Sequence, residues 1–152
     1  MKKLLCTFAL ILGSLSFLYS QTPEDIFKKF GTETNAQLMN IDGDMLAMVK
    51  AQAGEEAKKL KNIESMVVLE LSQCEQEVKD RFIEETGKMK LDGNETLVKV
   101  TEENVNVKVV GIVDGDTVCD MIVIVTGDGC AMVKMNGSIS MADVNSIANI
   151  NS

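Results

Sequence analysis

Four sulfur-bearing side chains near the carboxyl end of the chain have the residue types and the spacing of a soft-metal site. They alternate within two neighbouring predicted strands, so one sheet face could carry all four: Cys119, Met121, Cys130 and Met132. Thiolate and thioether ligands select Cu(I). Methionine also fills cores that have few aromatic residues, and this chain has ten methionines and five phenylalanines. We favour packing, so these four residues are only candidate ligands.

The chain contains no histidine. Hydrolase triads and histidine-ligated zinc sites need an imidazole, so both are excluded. Four Asp-Gly pairs, beginning at positions 42, 92, 114 and 128, lack the ligand spacing of an EF-hand loop and are typical of tight turns. No glycine motif for phosphate is present. We therefore predict that the protein is not an enzyme and binds no cofactor, with a carboxylate-based enzyme as the less favoured alternative.

The charge and the aromatic content argue against nucleic-acid binding. The chain has 23 acidic and 15 basic residues, for a net charge of -8, and it has no tryptophan and a single tyrosine. Nucleic-acid phosphates repel a net negative charge, and few side chains could stack on bases. We expect a protein or envelope partner instead.

The first twenty residues predict a secretory signal peptide. Lys2 and Lys3 precede an apolar stretch over 4–18, and polar residues follow it. The stretch is short for a membrane span, so we expect cleavage near Ser20 rather than anchoring. The predicted mature protein is one domain over 21–152 with no transmembrane segment, exported to the periplasm or associated with the outer membrane.

Helical periodicity dominates the first half of the predicted domain. The predicted elements are a helix over 23–30, a strand over 36–41, a helix from Asp42 that Gly54 interrupts, a strand over 64–71 and a helix over 72–86. In the second helix, Met45, Leu46 and Val49 are expected to face inward. Ser72 with Glu75 has the pattern of a capping box.

From residue 96 onward the apolar period changes to two. Strands are predicted over 96–102, 105–113, 116–126 and 130–139, followed by a helix that Ser140 caps. Two-residue turns place Val98 opposite Val109 and Val100 opposite Val107. The fold class is α+β, an antiparallel meander sheet of four to six strands with helices packed on one face.

The predicted inner face continues through a larger apolar set: Val118, Ile122, Ile124, Val133 and Met135. Asp120 falls on that same face. Three explanations are open: the carboxylate reaches water at the sheet margin, it is a functional group with a raised pKa, or the strand register is wrong. The margin is the favoured explanation.

The predicted mature chain has three cysteines: Cys74, Cys119 and Cys130. An odd number cannot pair completely within one chain. The hairpin puts Cys130 opposite about Val125, roughly 20 Å along the strand from Cys119, which is too far for a disulfide. Cys74 is expected to be a half-buried, unreactive thiol, and whether it pairs between chains is open.

The order of these elements resembles the family catalogued as domain of unknown function 4252, small exported proteins found mainly in Bacteroidota. Four segments carry the resemblance: Ile26-Phe27-Lys28-Lys29-Phe30, Met45-Leu46, Ile63-Glu64-Ser65, and Val133 to Ile139 running into Asp143-Val144. The resemblance implies an α+β fold and an envelope location. It implies no activity, cofactor or catalytic residue.

The function that these observations favour is a non-enzymatic, exported binding module for a protein or envelope partner. The alternative is a small-molecule or Cu(I)-type binder that uses the four sulfur residues. A carboxylate-based enzyme is less favoured, because it requires two acids that converge in one pocket.

Overall fold

The computed structural model describes residues 21–148, and the predicted signal peptide lies outside the described residues. The helices are α1 Pro23–Phe30, α2 Gly43–Gln52, α3 Gln76–Gly87 and α4 Met141–Ala148, with a 3-10 helix over Gly54–Lys58. The strands are β1 Gln37–Asp42, β2 Ile63–Glu70, β3 Glu95–Glu102, β4 Val105–Asp114, β5 Thr117–Gly127 and β6 Ala131–Ser140. The predicted α+β class is confirmed.

One six-stranded antiparallel sheet organises the chain. The strand order is β1-β2-β6-β5-β4-β3, so β3 to β6 form a meander and β2 joins the sheet beside β6. The predicted pairs Val98 with Val109 and Val100 with Val107 are confirmed. The two edge strands are β1 and β3.

The first apolar cluster lies between one sheet face and the helices α1 and α3. Ile26 and Phe30 of α1 are fully buried there, together with Phe82 of α3. The rings of Phe30 and Phe82 meet edge to face, with centroids 5.4 Å apart. At about 25 cal/mol per Å² of apolar area, such buried rings contribute strongly to the stability of this layer.

A second apolar cluster involves the other two helices. Leu46 of α2 and Val144 of α4 are buried against sheet residues that include Val109, Val118 and Met135. Apolar helix residues therefore contribute to both clusters, rather than to the single covered face that we expected.

A line of β-bulges crosses the sheet. Four neighbouring strand pairs shift register at adjacent positions. The extra residue lies on β2 opposite β6, on β6 opposite β5, on β5 opposite β4 and on β3 opposite β4. Each bulge adds a residue on one strand and bends that strand. In β5 the alternation of the side chains also reverses, because Val118 and Met121 both lie in the second cluster. The sheet is therefore bent along this line.

The bulge in β5 corrects part of the predicted inner face. Val118 lies in the second cluster, but Ile122 and Ile124 lie in the first cluster. The extra residue is Asp120, which is exposed and has φ +49°. Asp120 does reach water, but within the interior strand β5 and not at the sheet margin, so the favoured explanation was wrong. The third explanation holds, because Val109 lies opposite Val123 and the predicted register was wrong.

The residues that were predicted to begin or end helices do so in some cases and not in others. The amide of Asp143 donates to Ser140 Oγ at 3.1 Å, as predicted. Glu75, not Ser72, is the N-cap of α3, so that predicted capping box does not form. Gly54 adopts φ +58°, and the α-helix ends before it, as expected; the 3-10 helix begins at Gly54.

Candidate partner-binding surface

The four sulfur candidates do not meet in one place. Cys130 and Met132 are fully buried in the first cluster, whereas Met121 belongs to the second cluster. Cys119 is half-buried and lines a separate cleft. The predicted common sheet face was wrong for two reasons. The β5–β6 hairpin pairs Val125 with Ala131 rather than with Cys130, which places Met132 opposite Ile124 and away from Met121. The bulge at Asp120 then separates Cys119 from Met121. Within residues 21–148, no three His, Cys, Asp or Glu side chains are grouped to hold a metal ion.

Burial makes two of the three thiols poor nucleophiles. Desolvation raises the pKa of Cys74, and nearby Glu33 raises it further. Burial also raises the pKa of Cys130. The thiolate is the reactive form, so both thiols are unreactive while the fold is closed.

An open cleft of about 690 Å³ lies on the bulge line. Its lining includes Lys61, Glu64, Cys119, Asp120 and Ser138. Two carboxylates and a thiol therefore share one cleft, as a carboxylate enzyme would require. Both acids are exposed, so water solvates them and the cleft gives them little of the desolvation that tunes a catalytic acid.

The edge strand β1 presents a nearly continuous accessible surface. Five of its six residues are exposed, and Leu38 and Met39 retain 40% and 46% of their accessible area. On its other side β1 pairs with β2 along its whole length, from Gln37 opposite Glu70 to Asp42 opposite Ser65. Its outer edge therefore offers backbone N–H and C=O groups to another strand.

Helix α2 adds exposed methionines beside this edge. Leu46 is its one buried residue and holds the helix against β1 and β2. Met45 and Met48, three positions apart, retain 53% and 63% of their area. The prediction that Met45 faces inward was wrong. We call Met39, Met45 and Met48, with the β1 backbone, the β1–α2 surface. Leu38 points to the opposite face of the sheet, toward Gly31.

The two sheet edges differ in charge. Strand β3 carries Glu95, Lys99 and Glu102, the type of residue that prevents one sheet edge from pairing with another. Strand β1 has no charged residue between Gln37 and Ile41. The β1 edge therefore lacks this protection.

Acidic groups border the β1–α2 surface at one end. Asp42 ends β1 and Asp44 opens α2, and both are exposed. Lys50 of the same helix donates to the Ile63 carbonyl at 2.8 Å. Among residues 21–148, neither Asp42 nor Asp44 forms an ion pair. This end of the surface is therefore negative.

Ion pairs between elements lie away from this surface. Arg81 of α3 donates to Glu33 at 2.6 Å, and this hydrogen bond raises the pKa of the Arg81 guanidinium. Lys29 of α1 pairs with Glu85 of α3. These contacts join α3 to α1 and to the loop that follows α1.

Sequence reasoning missed the β1–α2 surface. The available signals were the uncharged run over 37–41 and the i, i+3 spacing of Met45 and Met48. Helical periodicity assigned Met45 to the core, because an exposed apolar stripe and a buried one have the same spacing. The two kinds of stripe differ only in whether a neighbouring element covers them, and no strand follows β1 at this edge of the sheet.

Comparison with known proteins identifies a family but no individual similar protein. The family described as Domain of unknown function (DUF4252) matches residues 30–147. No curated protein and no solved structure matches the chain. In the part of the chain from 21 to 148, no helix has the length and apolarity needed to cross a membrane.

Proposed function

This chain belongs to the DUF4252 family, whose description assigns no activity, and we propose that it is a binding module rather than an enzyme. Its partner is an extended segment of another protein that adds a strand to β1. The observation that supports this proposal is the uncharged, exposed β1 edge beside the methionines of α2.

Strand addition suits the chemistry of the β1–α2 surface. Backbone hydrogen bonds along the sheet edge provide affinity, and side-chain contacts on alternate positions provide selectivity. Met45 and Met48 are flexible and polarizable, so they can adapt to apolar side chains of different shapes. Clustered exposed apolar residues rimmed by polar ones are typical of interaction sites.

Charge defines one end of the partner segment. Asp42 and Asp44 are exposed without an ion-pair partner among residues 21–148, so a Lys or Arg beside the strand would complement them. The partner segment is therefore extended, has apolar residues at alternate positions, and is flanked by a basic residue.

The test uses synthetic peptides with an alternating Val-Thr core. One carries Lys at both ends, one carries Glu at both ends, and one is Lys-flanked but N-methylated on alternate amides. We expect the Lys-flanked peptide to bind in fluorescence anisotropy and to protect amides of 37–42 in hydrogen exchange. The Glu-flanked peptide should bind about tenfold more weakly, and the N-methylated peptide should not bind.

Matched variants separate this surface from general apolar binding. Met39→Lys and Met48→Lys should each weaken the Lys-flanked peptide severalfold, because each adds a positive charge and removes an apolar contact. Ile112→Lys is the control, since Ile112 is exposed to 40%, like Leu38, but lies on β4. Equal loss in all three variants, protection on β3 instead of β1, or no binding by the Lys-flanked peptide would overturn the proposal.

Small-molecule binding in the bulge cleft is the second candidate function. The observation that favours it is that Glu64 and Asp120 line the same cleft, where they could receive a cationic ligand. An alkyl diamine is a suitable probe. Amide shifts at these two residues that disappear in Asp120→Asn would support it, and their absence in the wild-type protein would dismiss it.

We also propose that the protein works outside the cytoplasm, in the periplasm or at the outer membrane. The support is the Lys2-Lys3 start followed by the apolar stretch over 4–18. Cell fractionation with mass spectrometry of the amino terminus tests this. An intact amino terminus on cytosolic protein would contradict it.

A further inference from the structure

Two of the three thiols in the described chain share one environment. Cys74 precedes α3 and Cys130 precedes β6, yet both side chains lie in the first cluster, 7% and 0% exposed. Cys119 is half-buried in the bulge cleft instead. All three are free thiols. The fold therefore buries Cys74 and Cys130 in one cluster and places Cys119 elsewhere.

Backbone hydrogen bonds place this pair on either side of Leu71. The Leu71 amide donates to the Cys130 carbonyl at 2.9 Å, extending the pairing of Glu70 with Ala131 by one residue. Directly opposite residues of this hydrogen-bonded kind have alpha carbons about 5.5 Å apart. Cys130 is thus the cross-strand neighbour of Leu71.

Cys74 approaches Leu71 from the other direction. Its amide donates to the Leu71 carbonyl at 3.0 Å, which closes a four-residue turn from Leu71 to Cys74. The alpha carbons at the ends of such a turn are within about 7 Å. A disulfide requires alpha carbons about 4.4–6.8 Å apart. Because Cys74 and Cys130 each lie within about 7 Å of Leu71, their own alpha carbons can be that close to each other.

Side-chain direction agrees with this placement. The side chains of Leu71, Cys74 and Cys130 all point into the first cluster. Cys119 cannot compete, because Val125 pairs with Ala131 and the strand between Cys119 and that pair spans roughly 20 Å. The two buried thiols are therefore each other's nearest cysteine.

We propose that Cys74 and Cys130 form an intramolecular disulfide when the protein is oxidised, and that Cys119 stays a free thiol. The bond would link the turn before α3 to the turn between β5 and β6. This proposal does not depend on partner binding by the β1–α2 surface.

Oxidised glutathione can serve as the oxidant that forms this disulfide. The sulfur of Cys74, the more exposed of the two, displaces one glutathione thiolate and forms a mixed disulfide. The sulfur of Cys130 then displaces the second glutathione, and the two cysteine protons leave on the two released thiols. Two cysteines are oxidised and one glutathione disulfide is reduced. Because both thiols are buried, oxidised glutathione can reach them only during refolding or when the turn opens locally.

The experiment refolds the full chain in a glutathione redox buffer, blocks free thiols by alkylation and maps linked peptides without reduction. Digestion at aspartate separates the two later cysteines, because Asp120 and Asp128 lie between Cys119 and Cys130. We expect one linked pair, Cys74 with Cys130, and an alkylated Cys119. The oxidised protein should also melt at a higher temperature than the reduced protein.

Variants give the controls. Cys119→Ser should keep the linked pair, whereas Cys74→Ser and Cys130→Ser should each leave the other thiol alkylated. If Cys130→Ser does not fold, the wild-type map and Cys74→Ser still decide the outcome. Alkylation of both Cys74 and Cys130 under excess oxidised glutathione, a bond to Cys119, or a link between chains would overturn the proposal.

Discussion

Gly137 lies so close to Asn62 that only glycine fits there. A Cβ on Gly137 would lie 2.2 Å from the Asn62 carbonyl oxygen and 2.9 Å from the Ile63 alpha carbon. The next amide, that of Ser138, donates to the same Asn62 carbonyl at 3.2 Å. This contact closes the bulge line between β2 and β6, beside the cleft that Asp120 lines.

Gly137→Ala should destabilise the protein by roughly 1–3 kcal/mol from backbone strain alone, with the clash adding to this cost. The residue has φ +121°, and the atoms it would meet belong to the backbone. Urea unfolding measures the change in free energy. Gly129→Ala is the control, since a Cβ there has no atom within 4 Å, and it should shift stability by less than about 1 kcal/mol. Equal losses of stability in Gly137→Ala and Gly129→Ala would contradict the close contact between Gly137 and Asn62.

Phe82→Ala should cost about 3–5 kcal/mol, because it removes a fully buried ring and leaves a cavity beside Phe30. The adjacent Ile83 is 37% exposed, so Ile83→Ala on the same helix should cost under about 1 kcal/mol. Thermal unfolding followed by circular dichroism compares the two. A larger loss for Ile83→Ala would mean that Ile83, rather than Phe82, lies on the buried side of α3.

The capping box of α1 should be visible in a titration. The Thr22 amide and hydroxyl both donate to Asp25 Oδ2 at 3.0 Å, and these bonds lower the pKa of Asp25. A lowered folded-state pKa contributes stability above the unfolded value, and that stability is lost as pH falls through the folded value. We expect Thr22→Ala to raise the pKa of Asp25 part-way, because the amide bond remains.

NMR titration of the Asp25 carboxyl carbon measures this pKa directly. Asp25→Asn is the control, since it removes the titrating group and with it this part of the pH dependence. An unchanged pKa in Thr22→Ala would mean that the hydroxyl does not interact with Asp25 in solution.

The sheet was predictable from sequence where the chain is regular. Alternating valines and two-residue turns gave the β3–β4 register correctly, because Val98 and Val109 must share a face. The bulges were not predictable in the same way. An extra residue such as Asp120 leaves the local period unchanged on either side. The one signal was a carboxylate on the predicted inner face, and a carboxylate at the sheet margin would give the same pattern.

The binding surface was harder to predict than the fold. The sequence places β1 next to β2, but β1 becomes an edge only because β6 pairs with the other side of β2. That pairing joins segments that are far apart in the chain, as in Val68 with Val133. The same long-range pairing brings Cys130 beside Leu71, which local patterns do not indicate.

Cys130→Ser and Cys119→Ser should differ in stability under reducing conditions, where no disulfide contributes. Cys130 is fully buried in the first cluster, and a hydroxyl there loses its hydration, so we expect a loss of about 1–3 kcal/mol. The Gly127 carbonyl, 3.7 Å from Cys130 Sγ, can accept one hydrogen bond and keeps the loss in this range. Cys119 is half-buried in an open cleft, so its substitution should change stability by less than about 0.5 kcal/mol. Urea unfolding in excess reductant measures both. A larger loss at Cys119 would mean that the bulge in β5 points this thiol into the core, and the division of the cysteines into a buried pair and a separate third would then fail.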